Sequence, residues 1–261
     1  MSSENTSSPG IKVDAVSLQL QSHQVFDSLS LDFAGGQCHC VLGRSGVGKS
    51  SLLNILSGSI IPQRGSVSSS NGGSLHNQVA HMFQEDGLLP WLPVLDNVQL
   101  GLRLRGESSG ENDERAMELL SAVGLVDWAS HYPCSLSGGM RQRVALARTL
   151  MERRPIILMD EPFSRLDAIT RDELQVLSCQ LLKGCTVVLV THDPSEALRV
   201  GHTVTVLHTS LPNRTTTFVP QNEQPRARTD AQFIELTADL WSLLATDAFT
   251  SEELERLRCS K

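Results

Sequence analysis

One octapeptide in the 261-residue sequence carries obvious chemistry: Gly43-Arg44-Ser45-Gly46-Val47-Gly48-Lys49-Ser50, the spacing G-x-x-x-x-G-K-[ST]. Its glycines let successive backbone N–H groups converge on phosphate oxygens, and a helix opening at its end adds a favourable dipole. Lys49 supplies positive charge for the outer phosphates, and Ser50, followed by Ser51, supplies a hydroxyl suited to Mg²⁺. The competing reading is an ordinary Gly-rich turn. It is disfavoured because the pattern follows a strand-like run, Cys38–Leu42, and opens a helix-like one, Ser50–Leu56. By itself the loop specifies nucleotide binding and no particular reaction.

Two further clusters narrow the chemistry. The apolar run Ile156–Met159 ends in Asp160 and Glu161. A carboxylate at a strand end fits an acid that organises Mg²⁺, and the next one fits a general base for an attacking water. In isolation such a pair is usually just solvated surface. The second cluster, Ser137-Gly138-Gly139, stands before a helix-like stretch and offers free N–H groups and a hydroxyl to an anion. A helix-capping Ser with flexible glycines is the plainer alternative. Two phosphate sites in one small chain make sense if the second serves a nucleotide held by another molecule.

These residues need a scaffold. Alternating apolar residues in 11–33 predict two half-buried strands, Cys38–Leu42 and Val79–Phe83 predict buried ones, and residues 62–78 read as turns with at most short strands. Helical patterns follow at Val94–Arg105, Glu111–Val123 and Gly139–Met151. Strand Ile156–Asp160, helix Ala168–Leu182, strand Thr186–Val190 and helix Ser195–Val200 then alternate as in a parallel sheet with crossover helices. Thr203–His208 and Thr215–Val219 are strand-like, Gln221–Asp230 is a polar linker, and an apolar stripe marks a helical tail over 231–258. The expected architecture is α/β, with helices inserted over about 94–152. In domain terms, 1–10 is a disordered lead-in, 11–220 the catalytic domain, and 221–261 linker and tail.

Composition bounds the function. Lys+Arg 22 against Asp+Glu 29 gives a net charge of −7, which disfavours broad nucleic-acid binding. No apolar run approaches the ~20 residues that span a bilayer, and the N-terminus lacks a secretory pattern. Work at a membrane would then require another protein to hold the chain there. Six cysteines without Cys-x-x-Cys spacing read as buried, reduced, structural thiols, fitting a reducing cytoplasm.

Taken in order, the phosphate loop, Leu136-Ser137-Gly138-Gly139-Met140 with Arg141-Gln142-Arg143, Asp160-Glu161-Pro162, Ser164-Arg165-Leu166-Asp167 and Thr191-His192-Asp193 resemble an ATP-binding cassette (ABC) ATPase over roughly residues 11–210. The phrases around Leu88-Leu89-Pro90-Trp91, DEPFSRLDAITR and VTHDPSEAL look most like importers of nitrate, sulfonate, taurine or thiamine-precursor pyrimidines. The resemblance implies a P-loop NTPase core (RecA-like) with an N-terminal antiparallel β-subdomain and an inserted α-helical signature subdomain. It implies ATP and Mg²⁺, with Ser50, Gln84 and Asp160 around the metal, and Glu161 as base. Gln84 would also sense the attacking water, and His192 would contact the γ-phosphate and position Glu161. Two copies would close head to tail, so that Ser137, Gly138 and Gly139 meet the nucleotide on the other copy's Lys49, and Asp167 helps build the seam.

The same resemblance implies a membrane permease as partner, an external substrate-binding protein acting indirectly, and a peripheral place on the cytoplasmic face of the inner membrane. Leu18–His23 lacks the aromatic residue on which such proteins commonly stack adenine; Leu20, His23 or Phe26 are the substitutes at hand. The segment 88–92 reads either as core or as an exposed docking surface. A soluble ABC ATPase not coupled to transport is the alternative function. Repair members insert a long coiled coil before the signature, whereas Ser137 follows Lys49 by 88 residues; translation members carry two cassettes in tandem, and this chain has one.

Overall fold

In a computed structural model, residues 8–107, 109–208 and 215–246 are described. The first sheet is antiparallel, with β1 (Ile11–Leu20) between β2 (His23–Phe33) and β4 (Arg64–Ser69). The second has six strands in the order β5 (Val79–Met82), β6 (Ile156–Asp160), β7 (Thr186–Thr191), β3 (Cys38–Leu42), β8 (Thr203–Leu207) and β9 (Thr215–Phe218). All its pairings are parallel except β8 with β9.

Continuous apolar runs in β6 and β7 follow from burial on both faces of a parallel sheet, and β3 is buried likewise apart from its partly buried first residue, Cys38, with one polar residue, His39. Cys40, Leu42, Ile157, Met159, Val187 and Leu189 point into one core, shared with α6 (Ala168–Leu181), α7 (Pro194–Val200) and α8 (Ala231–Thr246). Their neighbours Val41, Ile156, Leu158, Val188 and Val190 point into the other, shared with α1 (Lys49–Leu56) and the antiparallel sheet. A third core joins α2 (Val94–Val98), α3 (Leu100–Leu104), α4 (Gly110–Ala122) and α5 (Gly138–Met151). A P-loop core, an antiparallel β-subdomain and an inserted helical subdomain are thus all present.

Some expectations shift. The helix expected over Val94–Arg105 is two short ones, with a break at Gln99, whose buried side chain donates to Asp113 Oδ1 of α4 at 2.8 Å. Of the expected lead-in, residues 8–10 are joined to the fold: Ser8 Oγ donates to Gly184 O, and Gly10 N to Ser70 Oγ. Residues 1–7 lie outside the described residues, as does the part of the expected tail helix beyond Thr246. The cysteines are less uniformly buried than expected. Cys40 is enclosed, Cys38, Cys179 and Cys185 are partly so, and Cys134 is exposed in the surface turn Pro133–Ser135; Cys259 is outside the described residues.

Candidate functional site

The phosphate loop links β3 to α1. Gly48 sits at φ 106°, and a Cβ there would lie 2.6 Å from Val25 Cγ1 and 2.9 Å from Phe26, so only glycine lets the loop close over the β-subdomain. Gly46, at φ 85°, faces open space. Val47 turns its side chain into the core, which leaves only its backbone to a ligand, while Arg44, Ser45, Gly46 and Ser50 are exposed and Gly43 is buried. Ser51 is half-buried on the first turn of α1. Lys49 curls back, its Nζ donating to Gly43 O at 2.8 Å and Arg44 O at 3.0 Å. Burial holds its ammonium below the usual lysine pKa, against the upward pull of Glu161 and Asp160. Arg44 reaches across to Leu244 O at the end of α8.

Parallel strands place the remaining groups, because β5, β6 and β7 are neighbours and all end at the same edge. Gln84 follows β5, Asp160 ends β6 and Glu161 follows it, and His192 follows β7. Glu161 is therefore flanked from both sides. Gln84 Nε2 donates to its Oε2 at 3.2 Å, and His192 Nδ1 lies 3.0 Å from its Oε1. Glu161 holds the left-handed φ of 43°, sparsely populated for a side-chain-bearing residue, and its N–H donates to Val190 O on β7. Ser50's hydroxyl bonds the Asp160 carboxylate. Burial nevertheless pushes that carboxyl above its ordinary pKa, with Glu161 adding to the rise and Ser50 and Lys49 opposing it.

Ser137, Gly138 and Gly139 open α5. Ser137 caps it, accepting from Met140 N at 3.3 Å, and both Ser137 and Gly138 are exposed. Gly139 is buried, and a Cβ there would stand 2.2 Å from Thr170 Cγ2. Asp167, expected at a seam between copies, caps α6: it accepts from Ile169 N, Thr170 N and Thr170 Oγ1, bonds that hold its carboxyl below the usual range. Arg165 pairs within the chain, with Glu85, at 3.1 Å.

Sequence reasoning missed the struts that carry the loop after β5. From α5, Arg141 Nε bonds Asp86 Oδ2 at 2.9 Å, Gln142 Nε2 donates to Gln84 O, and Arg148 donates to the carbonyls of Asp86 and Gly87. The signal available was Arg141 and Arg148, seven apart on one helical face. Asn97 is fully buried and clamps the segment 89–93 through Leu89 N and the carbonyls of Leu89, Leu92 and Pro93. That segment is divided: Leu88 is core, Trp91 is 69% exposed. Phe26 is buried beneath the phosphate loop and so presents no face to a base, whereas Leu20 and His23 are exposed. A cavity of about 730 Å³ bordered by Cys38, Cys179, His202 and Arg226 lies at the opposite, N-terminal ends of the strands.

A sheet of this order, with a phosphate loop and two acids at its carboxyl edge, defines a P-loop NTPase. The ABC transporter family profile matches residues 26–164, and the chain belongs to that family as an ATP-hydrolysing cassette. An uncharacterised ABC transporter ATP-binding protein of Haemophilus influenzae is 41% identical over 239 residues, covering 89% of this chain and 95% of its own. An aliphatic sulfonates import ATP-binding protein of Rhodococcus jostii is 43% identical, covering 85% and 88% of the two chains. A taurine import ATP-binding protein of Pseudomonas aeruginosa is 42% identical, covering 76% and 78%. Among solved structures, a dimeric ATP-binding cassette in a post-hydrolysis state, bound to ADP and Pi, matches with TM-score 0.68 at 32% identity, covering 83% of this chain and 99% of that one. An inward-facing metal-chelate type ABC transporter matches with TM-score 0.70 at 26% identity, covering 81% and 83%.

Proposed function

We propose that this chain is the energy-coupling ATPase of an importer, working as a homodimer beneath a separate membrane permease. Its cargo is a small anion of the sulfonate, taurine or nitrate type, or a thiamine-precursor pyrimidine. The chemistry of the named relatives favours the sulfonates. The observation that carries the reading is the double hold on Glu161, by Gln84 and His192, beside the phosphate loop.

In this reading Glu161 is the base that takes a proton from the attacking water, and its two flanking side chains fix the carboxylate in place, so hydrolysis rests on positioning. Gly43 to Ser51 hold the nucleotide, with Lys49 leaving its two loop carbonyls for the phosphates. Ser50, Asp160 and Gln84 present oxygen donors suited to Mg²⁺, which when bound neutralises phosphate charge. Ser137 and Gly138, exposed at the start of α5, face the nucleotide of the second copy, with Gly139 supporting them from below. Trp91 belongs to the permease contact. In this reading the cassette spans 11–220, with residues 8–10 tied to it and α8 packed on its core. Among the described residues no helix is long and apolar enough to cross a membrane. The import roles printed for the relatives support a peripheral place on the cytoplasmic face of the inner membrane. An external binding protein would deliver the cargo.

Mild solubilisation of host membranes and recovery of the tagged chain tests this. A stoichiometric multi-span protein, with ATPase activity stimulated by a liganded binding protein, is the expected result. A cassette that dimerises on ATP without any membrane partner would replace it with the soluble ABC reading.

A further inference from the structure

We propose that Arg171 is a positioning residue that links the loop Ser164–Asp167 to the turn carrying His192, and so sets the contact between His192 and Glu161. The inference rests on the roles proposed above for those two residues. Arg171 lies in the first turn of α6, and its guanidinium spans two loops. Nη2 donates to Leu166 O at 3.0 Å on one side. On the other, Nη1 lies 3.8 Å from Asp193 Oδ2 and Nε 3.6 Å from Glu196 Oε1. The first is a full hydrogen bond and the other two are longer ion-pair contacts, with Nε buried and lacking a hydrogen-bond partner.

The second loop is tightly built around those carboxylates. Glu196 is 4% exposed, and its Oε2 accepts from Thr191 Oγ1 at 2.7 Å. Thr191 Oγ1 in turn accepts from Asp193 N at 3.1 Å, and Asp193 Oδ1 caps α7 through Ser195 N at 2.8 Å. The residue between Thr191 and Asp193 is His192. A shift of Asp193 and Glu196 toward or away from Arg171 therefore moves the imidazole relative to Glu161. The charges facing Glu196 are Asp193, Arg171 and His192, so Arg171 is the permanent cation in the group.

The loop on the first side also touches the other flank of Glu161: Ser164 Oγ donates to Glu161 O at 3.0 Å and lies 3.5 Å from Gln84 Nε2, and Arg165 pairs with Glu85. Movement of residues 164–167 thus reaches both flanks of the base, through Ser164 on the Gln84 side and through Arg171 on the His192 side.

The test is steady-state ATPase of the full chain, with ATP affinity and melting temperature measured for every variant. Arg171→Met is expected to lower kcat by about ten- to a hundredfold, the scale of a misplacement near 1 Å, with KM and ATP affinity within about twofold. Arg171→Lys recovers part of the loss, since one ammonium reaches either loop but not both. In a His192→Ala background Arg171→Met adds less than about twofold, because both changes break one linkage. Removing the arginine strands Glu196, so Arg171→Met combined with Glu196→Gln should restore melting temperature without restoring kcat. The proposal is overturned if kcat recovers along with stability, or if Arg171→Met keeps its full factor when His192 is absent. If His192→Ala itself leaves kcat unchanged, the underlying assignment of His192 fails, and this inference with it.

Discussion

Nδ1 of His192 stands 3.0 Å from Oε1 of Glu161, although 31 positions separate the two residues. The contact exists because β6 and β7 are adjacent and parallel, so the residues just beyond their ends meet. Gln84 reaches the other oxygen of the same carboxylate from β5. Replacing Glu161 by Gln keeps the shape of the side chain and removes its basicity. Glu161→Gln should bind ATP normally, hydrolyse it at least about a hundredfold more slowly and accumulate as a closed dimer on size-exclusion chromatography. Turnover at the unsubstituted rate would remove Glu161 from the role of base.

His81 offers a prediction about acid stability. It sits on β5, stacked near Phe83, and burial lowers its pKa from 6.5 to about 4. The unfolded chain takes up that proton near pH 6.5 and the folded one only near 4. Unfolding is therefore favoured progressively as pH falls through that window. After allowance for partial exposure the loss is on the order of 1–2 kcal/mol. Melting temperatures between pH 7.5 and 4.5 should converge for wild type and His81→Gln at the acid end, the variant having the flatter profile. Parallel profiles would assign the acid sensitivity to other groups.

Gly139 and Thr170 give a compensation experiment. A Cβ at 139 would stand 2.2 Å from Thr170 Cγ2, so Gly139→Ala should lower the melting temperature by several degrees, equivalent to about 1–3 kcal/mol of overpacking. Thr170→Ser removes that methyl and keeps the hydroxyl that donates to Asp167. The double variant should regain most of the loss in a thermal melt; additive losses would place the strain elsewhere.

Trp91 and Leu88 lie three residues apart and answer to different forces. Trp91 is 69% exposed on a segment whose backbone Asn97 fixes, whereas Leu88 is 8% exposed in the helical core. Trp91→Ala should weaken permease binding about tenfold or more in a pull-down titration and leave basal ATPase within twofold. Leu88→Ala should instead cost about 2–4 kcal/mol in a denaturant titration. A Trp91→Ala chain equally impaired in ATPase would make the residue structural.

Much of the site is legible in the sequence because its chemistry is local. The glycines of 43–48 fix a loop by their own backbone freedom, and Asp160 and Glu161 reach a strand end simply because the apolar run stops before them. The strand–helix alternation after Ile156 and two of the three helical stretches were readable from periodicity, the expected Glu111–Val123 and Gly139–Met151 falling within one residue of the observed Gly110–Ala122 and Gly138–Met151. The pairing of the buried Gln99 with Asp113 was not, because its partner lies on another helix. Nor was the burial of Phe26, which packs under a loop that follows it by some twenty residues.

The sequence alone therefore determined the kinds of group present, the glycine-rich loop between β3 and α1 and the alternation that builds a two-faced sheet. Each depends on residues within one turn or one strand of each other. Tertiary structure decided which groups meet: Gln84 and His192 on one carboxylate, Arg165 on Glu85, Arg171 between two loops, Leu88 inward with Trp91 outward. Those outcomes follow from strand order and helix packing, in which residues far apart in the chain share one edge, and periodicity carries no record of which strand lies beside which.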